Sequence, residues 1–482
     1  MKTIGDSLPR RFKAKASGSI TAGKPCIVEA DGDVAQVAQS SVSQAVGTPV
    51  VFESATMLSN EHASVFDSSN NKVVFSYSDY GNSGYGTAVV GTVSGTTISF
   101  GTPVVFASHG TGGDVAATFD SSNNKVVVAY RNSDDSEGTA IVGTVSGTSI
   151  SFGTAAVFEN ANSEYIAATF DTSNNKVVIA YTDKGNSSYG TSVVGTVSGT
   201  SISFGTPVVF ESGNTAYSVA VFDSTNNKAV IGYRDSGHSG RGKAVVGTVS
   251  GTAISFGSIA TFETSEIKEY FSGTFDSNAG KVFFSYQQGN DHRGIVGTVS
   301  GTSISFGSAA DINSGESRDS SCTFDSHVNK VVVIYDDESN SNYGTAVPVT
   351  ISGTSFSVGT ESVFESANVA YLSCCFDSNE KVVAIQYSDT GNSSYGTGVI
   401  YQNAGTRTTL TAENYIGIAE YAAADTETAT VLIKGGVSTT QSSLTPGQTY
   451  FVQGDGTLAL TADDPSVTAG TAVTSTKLIV KG

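Results

Sequence analysis

The side chains best suited to recognise a ligand are Asp79, Tyr85, Arg131, Asp134, Asp183, Tyr189, Asp235, His238, Arg241, Asp291, His292, Asp337, Tyr343, Asp389 and Tyr395. They fall in loops that share one place in a repeated unit, as in Ser78-Asp-Tyr-Gly-Asn-Ser-Gly-Tyr85 and Arg234-Asp-Ser-Gly-His-Ser-Gly-Arg241. Carboxylates, amides and guanidinium groups offer planar hydrogen bonds to hydroxyls, and tyrosine faces stack on sugar rings. The pattern suits a glycan. Two plainer readings stand beside it. The tyrosines Tyr85, Tyr189, Tyr343 and Tyr395 could pin their loops against a neighbouring repeat, and the loops could differ because nothing constrains them.

Other chemistry fits less well. Asp79, Asp183, Asp235, Asp337 and Asp389 sit in Gly/Asn/Ser loops. Calcium needs about six to eight oxygens, and each loop offers one or two carboxylates. Cys26, Cys322, Cys374 and Cys375 lack metal-ligand spacing. Arg131, Arg234, Arg241, Arg293 and Arg318 are scattered over several repeats, so no arginine cluster forms for an acidic sugar. No nucleophile elbow or Ser-His-Asp order appears, and the histidines read as ordinary loop residues. The expectation is a protein that is not an enzyme, with no cofactor and no metal.

The loops hang on a unit of about fifty residues. It is clearest as Phe119-Asp120-Ser-Ser-Asn-Asn-Lys125-Val-Val-Val-Ala-Tyr130, then Gly138-Thr-Ala-Ile-Val-Gly-Thr-Val-Ser-Gly-Thr148 and Ser149-Ile-Ser-Phe152. The aspartate of the Phe-Asp pair recurs at Asp67, Asp120, Asp171, Asp223, Asp276, Asp325 and Asp377; these number repeats one to seven. Each repeat reads as four strands: one ending at Phe-Asp, a β-branched run ending in tyrosine, a third, and a fourth alternating apolar and polar residues, as in Ile98, Phe100, Thr102, Val104 and Phe106. The Asp-Ser-Ser-Asn-Asn and Ser-Gly-Thr segments are turn chemistry. No helical stripe is present. The loops between second and third strands, and the links from Ser54–His62 to Ser314–Asp319, differ most between copies.

Four strands in each of seven units predict a seven-bladed β-propeller over 42–401, with a linear β-solenoid as the alternative. The seventh unit lacks a fourth strand, whereas Gly47-Thr-Pro-Val-Val-Phe52 precedes the first. Residues 42–52 should therefore complete the last blade and close the ring.

The fold class is thus all-β, with the propeller inserted in a small split β-domain. Ile20-Thr-Ala-Gly23-Lys-Pro-Cys-Ile-Val28-Glu-Ala-Asp31-Gly32-Asp-Val34 matches Leu444-Thr-Pro-Gly447-Gln-Thr-Tyr-Phe-Val452-Gln-Gly-Asp455-Gly456-Thr-Leu458 without a gap. Residues 15–40 and 408–482 should pack together, with 1–14 as an N-terminal arm.

Charged residues make up only 14% of the 482 residues, and the net charge is −19. That charge disfavours nucleic acid, which calls for clustered Lys and Arg. No apolar run reaches the roughly 18 residues a membrane span needs. Arg10-Arg11 is not followed by a hydrophobic segment, so no export signal is expected. The cysteines read as buried fillers of a chain folded in a reducing cytoplasm.

Two stretches carry a resemblance. Asn414-Tyr-Ile-Gly-Ile-Ala-Glu-Tyr421, Val431-Leu-Ile-Lys-Gly-Gly-Val437 and the Leu444–Leu458 segment resemble small β-domains of tailed-phage virion proteins of head-fibre, decoration and tail-appendage type. The repeat resembles arrays in structural proteins of the same marine phages. The resemblance implies a virion protein made in the host cytoplasm, with the small domain docking on capsid or tail proteins and the propeller displayed for adhesion to a host-surface glycan. Capsid decoration is favoured over a tail fibre because no fibrous shaft is present. A homo-oligomer would suit such an appendage, and a glycan-binding lectin or glycosidase-like propeller is the alternative. Asp79-Tyr-Gly81-Asn-Ser83-Gly-Tyr85 also resembles, less closely, the Asp-box turn of sialidase-type propellers.

Overall fold

The buried second strand of each repeat explains the architecture. In repeat two, Val126, Val127, Val128 and Ala129 are all fully buried. A run buried on both faces needs a partner layer on each side, so no repeat can be stable alone. The computed structural model describes residues 10–57, 62–112, 114–268, 270–463 and 465–481. These residues are almost entirely antiparallel β-structure. The helical elements among them are five single 3-10 turns of three residues. The chain divides into two compact units, residues 44–403 and residues 1–43 with 404–482.

In the larger unit each repeat builds one sheet. Repeat two pairs Val115–Asp120 with Lys125–Arg131, and that strand with Glu137–Ser146. The Phe-Asp aspartate folds the first turn. Asp120 Oδ1 accepts from the Ser122 and Asn123 amides at 3.0 Å, and Oδ2 accepts from Asn123 Nδ2 at 2.9 Å. Asn124 then takes φ 54°, a conformation asparagine tolerates better than most residues. The hairpin glycine Gly147, at φ 61°, serves the next turn.

The fourth strand differs from the sequence reading. It is two segments, Ser149–Phe152 and the start of Ala156–Asp171, both paired with the third strand. Four residue steps from Phe152 to Ala156 oppose three from Gly143 to Ala140, so one extra residue interrupts the ladder. The glycine at this break has a packing reason. A Cβ on Gly153 would lie 1.9 Å from the carbonyl oxygen of Thr200, in the hairpin of the next repeat. Gly101, Gly205, Gly257 and Gly307 meet the carbonyls of Thr148, Thr252, Thr302 and Thr354 in the same way.

Gly47 continues this series. It packs against the Thr96 carbonyl of repeat one, while Ala45–Val46 and Val50–Thr56 pair with Tyr395–Gln402 of repeat seven. The first strands of neighbouring repeats touch in order, and the strand Ser362–Asp377 of repeat seven also touches His62–Asp67 of repeat one. Buried Gln386 strengthens that last contact through hydrogen bonds to Ala63 O at 2.8 Å and Ser64 Oγ at 2.9 Å.

A second recurrent bond joins neighbouring repeats. The tyrosine of the second strand donates to a glutamate on the outermost strand of the preceding repeat, as Tyr181 to Glu159 at 3.0 Å and Tyr233 to Glu211 at 3.0 Å. For Tyr130 of repeat two the glutamate position, on the outer strand of repeat one, is Ala107, and His109 packs near Tyr130 instead.

The smaller unit is a structural duplicate. One five-stranded sheet runs Arg11–Lys15, Thr428–Leu432, Tyr415–Ala419, Pro25–Val28, Val34–Gln36; the other runs Val437–Ser438, Lys477–Val480, Val467–Thr474, Thr449–Val452, Leu458–Ala459. Matching bonds recur: Gly23 N to Ala419 O and Gly447 N to Ala472 O are both 2.8 Å. Matching bulges recur beside Gly417 and Gly470, where a Cβ would meet the Leu432 and Ile479 carbonyls. Ile27, Tyr415 and Leu432 of one sheet share a core with Tyr450, Val452 and Leu478 of the other. Residues 11–14, read from sequence as part of an arm, are instead edge-strand residues, with Phe12 opposite Val431. The rest of the expected arm, 1–9, lies outside the described residues.

Three substitutions test this packing. Gly205→Ala should cost roughly 1–3 kcal/mol in denaturant unfolding through overpacking. Gly359→Ala should cost less, since its nearest neighbour is Pro348 Cγ at 2.9 Å within its own repeat. Tyr181→Phe should cost about 1.5–3 kcal/mol, because it removes a hydrogen bond to a carboxylate.

Candidate binding site

Fourth strands run without interruption into the next first strand in several repeats. Ala156–Asp171, Val208–Asp223 and Ser362–Asp377 are single strands. Each carries a register shift where it begins to pair with its second strand, between Glu164 and Ala167, Ala216 and Val219, and Ala370 and Ser373. Ser317–Asp325 has the same shift between Arg318 and Ser321. At these bulges Tyr165, Tyr217, Asp319 and Tyr371 take φ of 53°, 49°, 41° and 57°. Tyrosine rarely adopts this region, and the strain is on the order of 1–3 kcal/mol per residue. Bulges re-aim side chains, often next to functional sites.

Here the re-aimed residues border one cavity of about 430 Å³. Its walls come from repeats two to seven and include Asp114, Arg131, Glu164, Tyr165, Tyr217, Tyr270, Phe271, Asp319 and Tyr371. Tyr165 and Tyr217 pack with ring centroids 4.5 Å apart, and the Arg234 guanidinium lies 5.9 Å from the Tyr217 ring centre. Tyr371 meets the edge of His62, whose burial lowers its pKa to about 4 and leaves it neutral.

The carboxylates are held by the backbone of the following repeat. Asp114 Oδ1 accepts from the Tyr165 amide at 2.6 Å, and Asp319 Oδ2 accepts from the Tyr371 amide at 2.8 Å. Burial pushes Asp114 up to about 7, against the pull of Arg131, whose Nε lies 4.0 Å away. Arg131 also reaches Glu164 at 3.5 Å, and Lys184 reaches the same carboxylate at 2.9 Å. Beside Asp319, Asp336 has a buried Oδ1 without a hydrogen-bond partner. Burial and then the charge of Asp319 raise it to about 7.

Of the residues singled out from sequence, Arg131 lines this cavity. Asp79, Asp183 and Asp389 instead cap 3-10 turns, accepting from the Asn82, Asn186 and Asn392 amides. Asp235 holds His238 Nδ1 at 2.8 Å and Lys243 Nζ at 2.5 Å. Asp337 accepts from Ser339 Oγ at 2.5 Å. Tyr85, Tyr189, Tyr343 and Tyr395 are half-buried where the third strands begin, opposite link residues Gly110, Asn214, Asn368 and Thr56. Arg241 holds that place in repeat four, opposite Glu266. Exposed Asp134 donates its amide to Asn132 Oδ1. Asp291 borders a separate shallow cleft with Glu266 and Lys268.

The histidines are not all loop residues. His292 is buried in a strand, with Nε2 2.6 Å from Ser285 Oγ, and burial lowers its pKa to about 3. Among the described residues no group of three or more His, Cys, Asp or Glu is placed to hold a metal ion.

The cavity residues did leave a signal in the sequence. Six positions before each Phe-Asp aspartate stand Glu61, Asp114, Tyr165, Tyr217, Tyr270, Asp319 and Tyr371. The position carries an acid or a tyrosine in every repeat. Glu61 lies outside the described residues.

No protein-family model matches the chain, and no curated protein matches it. Among solved structures, AofleA from Arthrobotrys oligospora is similar at a TM-score of 0.43 and 9% identity, over 72% of this chain and 96% of that one. An arginine-to-alanine triple mutant of AofleA is similar at 0.41 and 9%, over 70% of this chain and 94% of that one.

The raised Asp336 pKa gives a pH signature. A folded pKa of about 7 above an unfolded value of 3.8 means that the protonated form stabilises the fold. That contribution is complete below the unfolded pKa and is lost as pH rises through about 7. Melting temperature should therefore fall between pH 5 and 8, and Asp336→Asn should flatten the fall and melt higher at pH 8, as read by calorimetry.

Proposed function

We propose that residues 44–403 form a seven-bladed β-propeller whose axial cavity binds a carbohydrate, and that the protein is a non-enzymatic virion component of a tailed phage. The cyclic order of first-strand contacts, and the closure of repeat seven by Ala45–Thr56, support the propeller. The observation that carries the binding function is the set of strained tyrosines turned onto one cavity walled by six repeats. Backbone strain of this kind clusters at ligand sites, and glycine would make the same bend at less cost without placing a ring on the cavity.

Aromatic faces with a few fixed polar groups are the means by which proteins hold sugars. The reading is one of recognition without turnover. The duplicated β-domain is the docking part, as the resemblance to head-fibre and decoration proteins implies. A capsid position is preferred to a tail fibre, and capsid or tail proteins and a host-surface glycan are the expected partners.

Two measurements test this reading. Antibody to the propeller should label purified particles by immunogold microscopy; unlabelled particles would remove the virion assignment. The full-length chain should give glycan-array signals that fall at least tenfold in Tyr217→Ala and persist in Tyr189→Ala. Equal loss in both variants, or signal that survives Tyr217→Ala, would move the site away from the cavity.

A further inference from the structure

We propose that the protein binds calcium at three equivalent places, each between the outer strand of one repeat and the second-to-third loop of the next. The loops alone offer too few oxygens for the ion. A second carboxylate comes from the preceding repeat: Glu53 faces Asp79, Glu159 faces Asp183 and Glu365 faces Asp389. These acids are distinct from those lining the cavity. A tyrosine fixes each glutamate, with Tyr77, Tyr181 and Tyr387 donating to Oε2 at 3.1, 3.0 and 2.9 Å. Each aspartate caps its 3-10 turn through Oδ1. Burial first, and the charge of the facing acid second, raise the pKa of Glu53, Asp183 and Asp389, so a cation between the acids would relieve each pair.

Repeat four shows what such a pair holds. There Glu211 and Asp235 take the same places, and Tyr233 donates to Glu211 Oε2 at 3.0 Å. The Lys243 ammonium sits between the acids, 3.0 Å from Glu211 Oε2 and 2.5 Å from Asp235 Oδ2. Lys243 lies opposite Tyr233 in the ladder. Thr87, Thr191 and Thr397 hold that register in repeats one, three and seven, opposite Tyr77, Tyr181 and Tyr387. Among the described residues no lysine or arginine forms an ion pair with the six acids of those repeats. The other repeats differ at these positions. Repeat five sets Arg293 against Glu263, in the register of Lys243. Repeat two has Ala107 and Asn132 in place of both acids, and repeat six has Asn313 for the glutamate. Donors that are all oxygen select a hard cation, and calcium tolerates a shell of a few carboxylate oxygens completed by water. With two carboxylates per site the affinity belongs with the weak class, roughly 10⁻⁴ to 10⁻³ M.

Terbium, which substitutes for calcium at oxygen sites, reads these places directly. The chain has no tryptophan, so ultraviolet light reaches bound terbium through tyrosines, and each site has one hydrogen-bonded to its glutamate. Terbium titration of the full-length chain should give sensitised emission that saturates at three ions and is displaced by calcium. Thr191→Lys, which copies repeat four into repeat three, should reduce the stoichiometry to two. Lys243→Thr should raise it to four. Melting curves recorded without calcium control for the folding of both variants, and saturating calcium should raise the melting temperature of the unsubstituted chain because each ion would bridge two repeats. Absence of sensitised emission would overturn the proposal. So would emission that calcium leaves in place, or a stoichiometry that neither substitution changes, since the ions would then be drawn only by the net charge of −19.

Discussion

Burial of the second strand on both faces is the constraint on which the rest depends. Val126 to Ala129, and their counterparts in the other repeats, can be covered only by the neighbouring sheets. A linear array would leave such a strand open to water at each end. The chain avoids this by lending Ala45–Thr56 to repeat seven, and by the Gln386 bonds to repeat one. Adjacent sheets then approach so closely that a glycine must sit beneath each threonine carbonyl. The glycines Gly47, Gly101, Gly153, Gly205, Gly257 and Gly307 are thus a packing requirement and not part of a loop of convenience.

The same closeness shapes the cavity. First strands that run on from the preceding fourth strand must bend to enter their own sheet, and the bulges supply the bend; the separate strand Ser317–Asp325 has the same bulge. The residue at each bulge adopts positive φ, and in the described repeats three, four, six and seven it is tyrosine or aspartate rather than glycine. Glycine would relieve the backbone but would place nothing on the cavity wall. The backbone amides after the bulge are held by the acids of the preceding repeat, Asp114 to Tyr165 and Asp319 to Tyr371. One feature therefore serves both to join neighbours and to wall the cavity.

The smaller unit follows a related logic at half the scale. Two sheets of the same strand order lean on one core, and the glycines Gly417 and Gly470 mark equivalent close approaches. The strands of the first sheet come from both ends of the chain, Arg11–Gln36 and Tyr415–Leu432, whereas the second is contiguous from Val437 to Val480. An insertion into one copy of a duplicated domain accounts for that asymmetry.

The repeat, its turns and the all-β character were legible in the sequence, because Asp-Ser-Ser-Asn-Asn turns, Ser-Gly-Thr hairpins and β-branched runs are local chemistry. The gapless match of residues 20–34 to 444–458 likewise exposed the related hairpins. Loop variability led to the cavity at Arg131 and at Asp319, the end of the Ser314–Asp319 link. Asp79, Asp183 and Asp389 cap turns, and His292 is polar yet buried. The tyrosines of the cavity drew no notice in the sequence, since nothing local distinguishes a tyrosine that will face a neighbour from one that a bulge will turn onto a cavity. By itself the sequence determined which segments pair within a repeat, because those choices depend on period and turn type. Only the tertiary structure decided that six repeats present Tyr165, Tyr217, Tyr270, Tyr371, Asp114 and Asp319 to one cavity, because that depends on the contact of repeat seven with repeat one and on bulges tied to acids of the preceding repeat.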